Sequence, residues 1–343
     1  MSDSYDRNKL FLEDSIYIWK KLDPFEFQNS TLLITGATGL IGSTLVRAFL
    51  YADSHYHLNL KMILLVRNQE KAERIFGKTA ALEVVQCDIL QIPMIDFKVD
   101  YVIHCANPTS SKFFLNNPVD TIETAVTGTE NVLEIAKAKK VKGMVFLSSM
   151  EVYGFPERGV TVAEDMLGGF DPTQPRNSYP ISKQLCESLC CAYAAQYRVP
   201  TKIVRLTQTF GPGIDSNDQR IFAEFARCKK EKRNIVLMTP GKTERSYLYT
   251  ADAVTAILTV LLFGQIGQAY TAANPDTYCS IYQMAQDFAK ENHLKVEVNA
   301  QDAEKLGYAK TLYMKLSTKK IESLGWHPEA GLKEMFQRMM EAM

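Results

Sequence analysis

The stretch Thr31-Leu32-Leu33-Ile34-Thr35-Gly36-Ala37-Thr38-Gly39-Leu40-Ile41-Gly42 decides the fold. A short apolar strand pattern runs into glycines spaced GxxGxxG, and a helical pattern follows over residues 40–51. Glycines allow a tight turn and a close backbone approach. The positive N-terminus of the helix behind them suits a pyrophosphate. The strand–turn–helix context is what gives such a triplet its meaning. Gly36, Thr38, Gly39, Leu40, Ile41 and Gly42 are therefore candidate ligands of a dinucleotide cofactor.

Outward from this loop, short continuous runs rich in Val, Ile and Leu recur at 62–66, 82–87, 101–105, 143–148 and 202–206. They read as strands buried on both faces. Helical patterns lie between them at 69–76, 119–139 and 178–197. This alternation predicts an α/β fold, a Rossmann-type doubly wound parallel sheet. A short amphipathic helix at 10–22, carrying Trp19, precedes it. Beyond Arg205 the pattern loosens. The turn cluster Gly211-Pro212-Gly213 leads to helices near 219–228, 251–263, 281–290 and 332–342, with strands near 235–237 and 268–272. The expected division is a helical extension over 1–29, a dinucleotide-binding domain over 30–206 plus about 245–272, and a smaller interleaved α/β substrate domain over 207–244 plus about 273–343.

Composition narrows the function. The 343 residues carry 39 Lys+Arg and 39 Asp+Glu, a formal net charge of zero. That argues against a nucleic-acid partner held by bulk charge. Apolar runs such as 256–263 fall well short of the ~20 residues of a membrane span. The opening MSDSYDRNKL lacks the apolar core of a signal peptide. The seven cysteines form no CxxC, and the five histidines form no ligand set, so no metal is expected. A reducing, cytoplasmic location is expected.

Tyr179 and Lys183 form YxxxK at the start of a predicted helix, which puts both on one helical face. A cationic Lys beside a phenol lowers its pKa and makes it a usable base. Ser149 stands in Ser148-Ser149-Met150-Glu151-Val152-Tyr153-Gly154 at a strand's carboxyl end, where ligands bind in such sheets. Its hydroxyl can bond a substrate hydroxyl, and Glu151 can act as a base or orient water. At the end of the second strand Arg67 stands where an acid often holds a ribose. That would suit a 2′-phosphate, so NADP stays open beside NAD. Asp88, with Ile89 after it, is placed for the adenine edge. The fork of Arg245 fits a diphosphate or a carboxylate, and Arg220, at a helix start, could reach a phosphate.

These features together resemble the extended short-chain dehydrogenase/reductase family of nucleotide-sugar epimerases, dehydratases and decarboxylases, over roughly residues 30–340. The resemblance to UDP-glucuronate decarboxylases is the nearest. It is carried by His104-Cys105-Ala106-Asn107-Pro108-Thr109-Ser110, Asn117-Pro118-Val119-Asp120-Thr121-Ile122, Gly128-Thr129-Glu130-Asn131-Val132-Leu133, Ser149-Met150-Glu151-Val152-Tyr153-Gly154, Thr209-Phe210-Gly211-Pro212, Asp218-Gln219-Arg220 and Arg245-Ser246-Tyr247 with Thr250-Ala251-Asp252 following, while Leu324-Gly325-Trp326 is typical of the wider family. The resemblance implies Ser149 as catalytic hydroxyl, Tyr179 as base and Lys183 as its partner. It implies a hydride passed between sugar C4 and nicotinamide, and Ala106 at the cofactor. Thr109, Ser110, Gln208, Arg220 and Arg245 would face the substrate. It also implies a homodimer through the helices at 119–139 and 178–197, and a part in polysaccharide biosynthesis. Met150 stands where dehydratases place an Asp acid, Gln208 where relatives have Asn, and Gly213 where they have Arg. A thioether cannot protonate a leaving hydroxyl, which marks 4,6-dehydration down. UDP-glucuronate decarboxylation leads, with 4-epimerisation, and then dehydration or reduction, as alternatives. A non-catalytic dinucleotide-binding regulator is the alternative outside this class.

Overall fold

Residues 2–300 and 311–343 are described by a computed structural model. Seven parallel strands form the main sheet, in the order Leu82–Gln86, Lys61–Val66, Thr31–Thr35, Tyr101–His104, Gly143–Ser149, Thr201–Leu206 and Ala269–Ala272. Strand order reverses between Thr31–Thr35 and Tyr101–His104, and the crevice at that reversal lies at the strands' carboxyl ends. The continuous apolar runs follow from burial on both faces. Leu32 and Ile34 enter one core, with the helices Leu40–Tyr56 and Thr250–Phe263 over it. Leu33 enters the other, beneath Pro118–Lys139 and Ser178–Tyr197. The expected doubly wound sheet is the one observed.

The chain leaves this sheet after Leu206. Gln208–Phe210 pairs instead with Glu244–Tyr249, the centre of a smaller mixed sheet that also holds Asn274–Ser280, Tyr313–Leu316 and Thr161–Val162. Only one residue, Thr207, separates the two sheets, so Gln208 sits at their seam. The first helix spans Ser2–Lys21, longer than the expected 10–22. Trp19 anchors it, edge-on to Phe27 and Phe49, and donates Nε1–H to Ala48 O at 2.6 Å. Leu40–Tyr56 runs a turn beyond residue 51, and short helices form at Ser111–Asn116 and Lys319–Glu322, where no element was expected.

Candidate active site

The glycine loop behaves as its spacing requires. Gly36 has φ +65°, and a Cβ there would lie 2.8 Å from Ala106 N and Cys105 C. A Cβ on Gly42 would lie 2.3 Å from Gly36 O, so only glycine lets the helix seat on the loop. Gly39 caps the helix without a side-chain bond, leaving the first-turn N–H groups around Leu40 and Ile41 facing outward. Thr35 Oγ1 accepts from Ala106 N at 3.0 Å and bonds His104 Nδ1 at 2.7 Å, which ties the two crevice loops together. In the next residue, Asn107, both side-chain polar atoms are buried without a partner. A narrow glycine cradle, a bare helix N-terminus and an orphaned amide fit a dinucleotide.

The other cofactor candidates are more peripheral. Arg67 is exposed at the end of its strand. Asp88 is also exposed, and its Oδ1 accepts from Leu90 N at 2.9 Å as a turn. Ile89 is buried, its carbonyl held by Asn131 Nδ2 at 2.9 Å.

The Ser149 hydroxyl is among the groups that act on the Tyr179 phenol. Ser149 ends the strand Gly143–Ser149, and its Oγ accepts from Glu151 N at 3.2 Å. Tyr179 lies in the first turn of Ser178–Tyr197, buried, with its ring stacked on Phe114. Glu151 is half-buried and pairs with Arg176 at 3.2 Å. Burial pushes the Tyr179 phenol above its ordinary range and the Glu151 carboxylate pushes it further; the Ser149 hydroxyl and the charge of Arg176 pull it back.

Lys183 Nζ donates to Leu147 O at 2.6 Å, against the Phe146 ring, and lies 5.9 Å from the Tyr179 ring centre. Burial lowers its own pKa to about 8. A protonated Lys183 at that distance favours the phenolate, against the burial that raises the phenol.

The substrate candidates divide. Gln208 Oε1 and Arg245 Nε are buried without partners on adjoining strands of the small sheet. Arg220 forks onto Asp218 at 2.6–3.0 Å as the residue capping Ile221–Lys230. Thr109 and Ser110 are exposed just before the helix Ser111–Asn116. Asn107, Phe114, Arg176 and Ser178, whose Oγ is buried and unpartnered, also belong to this region. No residue pattern marked them, apart from Asn107 within its quoted loop. Met150 is buried, its Sδ accepting from Thr207 Oγ1 at 3.3 Å. Among the described residues no group of His, Cys, Asp and Glu could hold a metal, and no helix is long and apolar enough to cross a membrane.

The profile of the NAD dependent epimerase/dehydratase family matches residues 32–273. The chain belongs to this family. It is thus an NAD-dependent enzyme of sugar-nucleotide chemistry. It is 27% identical over 330 residues to UDP-glucuronic acid decarboxylase 1 of Danio rerio, covering 94% of this chain and 75% of that protein. The fold is shared with a dTDP-glucose 4,6-dehydratase from Streptomyces venezuelae, solved with NAD. There the TM-score is 0.74 at 22% identity, covering 91% of this chain and 96% of that one. A UDP-glucuronic acid 4-epimerase from Bacillus cereus, solved with UDP-glucuronic acid and NAD, has a TM-score of 0.75 at 20% identity, covering 91% and 98%.

Proposed function

We propose that the protein decarboxylates UDP-glucuronate through transient oxidation at sugar C4, with NAD as its dinucleotide. The observation that carries this is Tyr179, buried in the first turn of Ser178–Tyr197, with Ser149 and the Glu151–Arg176 pair acting on its phenol at the carboxyl end of Gly143–Ser149. When bound, the nicotinamide supplies the acceptor for the C4 hydride and later its donor.

The chain's own residues do the rest. Tyr179 takes the C4 hydroxyl proton. Ser149, beside that phenol, holds the C4 oxygen. Lys183 holds the cofactor ribose. A C4 ketone makes the C6 carboxylate a β-keto acid, which loses carbon dioxide and leaves an enolate that takes a proton at C5 from water. Glu151 is assigned to the C5 side, as base or as orienter of that water. Arg245 offers its fork to the diphosphate or the carboxylate, with Gln208, Thr109, Ser110 and Arg220 as further substrate contacts. The buried thioether of Met150 leaves no acid at that position, which favours decarboxylation over 4,6-dehydration.

The domain division at 30–206 plus about 245–272, a homodimer through Pro118–Lys139 and Ser178–Tyr197, and a cytoplasmic site are parts of the same reading. The test is the product mass after incubation with a panel of nucleotide sugars, supplying NAD and NADP separately. Loss of one carbon dioxide from UDP-glucuronate with NAD supports the proposal. Unchanged mass with a shifted retention time would mean epimerisation, and loss of water would mean dehydration; either overturns it.

A further inference from the structure

Behind Ser149 and Lys183 lies a buried ion pair that the chemistry above does not use. Glu187 follows Lys183 by one helical turn on Ser178–Tyr197. Arg205, on the strand Thr201–Leu206, grips its carboxylate through Nε at 3.0 and 3.2 Å and Nη2 at 2.7 Å. Ser148 Oγ donates to the same carboxylate at 2.5 Å. Arg205 Nη1 continues to Tyr153 OH at 3.2 Å and Glu164 O at 2.7 Å, and Tyr153 OH bonds Thr271 Oγ1. Glu187 and Arg205 are 6% and 4% exposed, so this is a fully desolvated pair. One carboxylate thus joins the residue before Ser149 to the helix that carries Tyr179 and Lys183.

We propose that Glu187 and Arg205 are positioning residues: their ion pair locks the strand end bearing Ser149 onto the helix bearing Tyr179 and Lys183, and the Glu187 charge keeps Lys183 protonated. This rests on Ser149, Tyr179 and Lys183 being the catalytic set.

Charge accounting supports the second half. Lys183 is faced by Cys186, Glu187 and Cys190 of its own helix, and by His104 and Cys105 at the neighbouring strand end. Burial raises all three thiols, Cys105 to about 12, and lowers His104 to about 3. All four are neutral at neutral pH, so Glu187 is the formal charge among them. Glu187 in turn faces Arg205, Lys183 and the thiols Cys186, Cys190 and Cys191. Arg205 faces Tyr153, and beyond it Glu164 and Lys320. Arg205 carries the opposite charge beside Glu187, so removing Glu187 alone exposes its effect on Lys183, and removing both partners tests the positioning.

Two variants test this. Glu187→Gln removes the charge and keeps the polar shape. Because one stranded partner of a buried pair can unfold a protein, a double variant, Glu187→Leu with Arg205→Met, removes both charges. The Lys183 titration is read from the ¹³Cε shift of lysine-labelled enzyme, assigned with Lys183→Arg, and needs no sugar. In Glu187→Gln, which leaves Arg205 charged, Lys183 is expected to lose its proton about one pH unit lower than in the parent, and the alkaline limb of kcat should move with it. In either variant kcat should fall about tenfold to a hundredfold from mispositioning. A folded Glu187→Gln with an unmoved Lys183 titration and an unmoved alkaline limb, or a folded double variant with the parent's kcat, would overturn the proposal. A moved titration with an unchanged rate profile would overturn the catalytic assignment of Lys183 on which it rests.

Discussion

The phenol ring of Tyr179 lies flat on the ring of Phe114, with centroids 4.2 Å apart and planes 8° apart. Phe114 is 1% exposed, and the Arg176 guanidinium lies 5.5 Å from its ring centre. The stack fixes the phenol's orientation and keeps water from one of its faces. Such pairs add about 0.5–1.5 kcal/mol beyond burial. Phe114→Leu should therefore lower kcat/KM about tenfold while the protein stays folded. Water admitted to the phenol would relieve the burial that raises it, so the acidic limb of kcat/KM should move to lower pH. A pH–rate profile of the variant reads both effects.

His104 makes stability acid-sensitive. It is buried, bonded to Thr35 at 2.7 Å and Thr129 at 3.2 Å, and burial lowers its pKa to about 3 from 6.5. The unfolded chain then takes up a proton below pH 6.5 that the folded chain refuses. Its contribution is complete above pH 6.5 and is lost as pH falls toward 3, by a few kcal/mol in all. Denaturant midpoints measured between pH 7 and pH 4 should fall in the parent and fall less steeply in His104→Gln.

The glycine loop gives a sharper test. A Cβ at residue 42 would press on Gly36 O from 2.3 Å, which must shift either the loop or the helix. Gly42→Ala should weaken dinucleotide binding about tenfold or more, measured by calorimetry with NAD. Unchanged affinity would mean that the cofactor is held elsewhere.

Arg245 should act on the sugar nucleotide rather than on the dinucleotide. Its buried, unpartnered Nε marks a donor awaiting an acceptor. Arg245→Gln should raise KM for the nucleotide sugar by about tenfold to a hundredfold, the worth of a charged bidentate contact. The Kd for NAD should stay near that of the parent.

Much of this was legible because the parallel sheet writes itself as continuous apolar strands. Thr31–Thr35 and the glycines after it carry both the fold and the cofactor cradle in adjacent residues. The YxxxK spacing placed Tyr179 and Lys183 on one helix. The spacing could not show what surrounds them. It put a phenol and an ammonium on one face, but did not show that the phenol stacks on Phe114 or that the ammonium bonds a backbone carbonyl. Phe114 was hidden because Ser111–Asn116 is too short for a periodic signal. The small sheet was hidden for the same reason, since strands such as Gln208–Phe210 take their meaning from distant partners. The ion pair between Arg220 and its neighbour Asp218 was not legible in the sequence either.

The central claim is that Tyr179 is the base that opens the C4 chemistry. The most direct measurement mixes NAD-loaded enzyme with UDP-glucuronate and follows both reduction of the bound nicotinamide and product mass, for the parent and for Tyr179→Phe. The account predicts reduced nicotinamide and a product lighter by one carbon dioxide with the parent, and neither above background with Tyr179→Phe. Turnover by Tyr179→Phe at the parent's rate would contradict it.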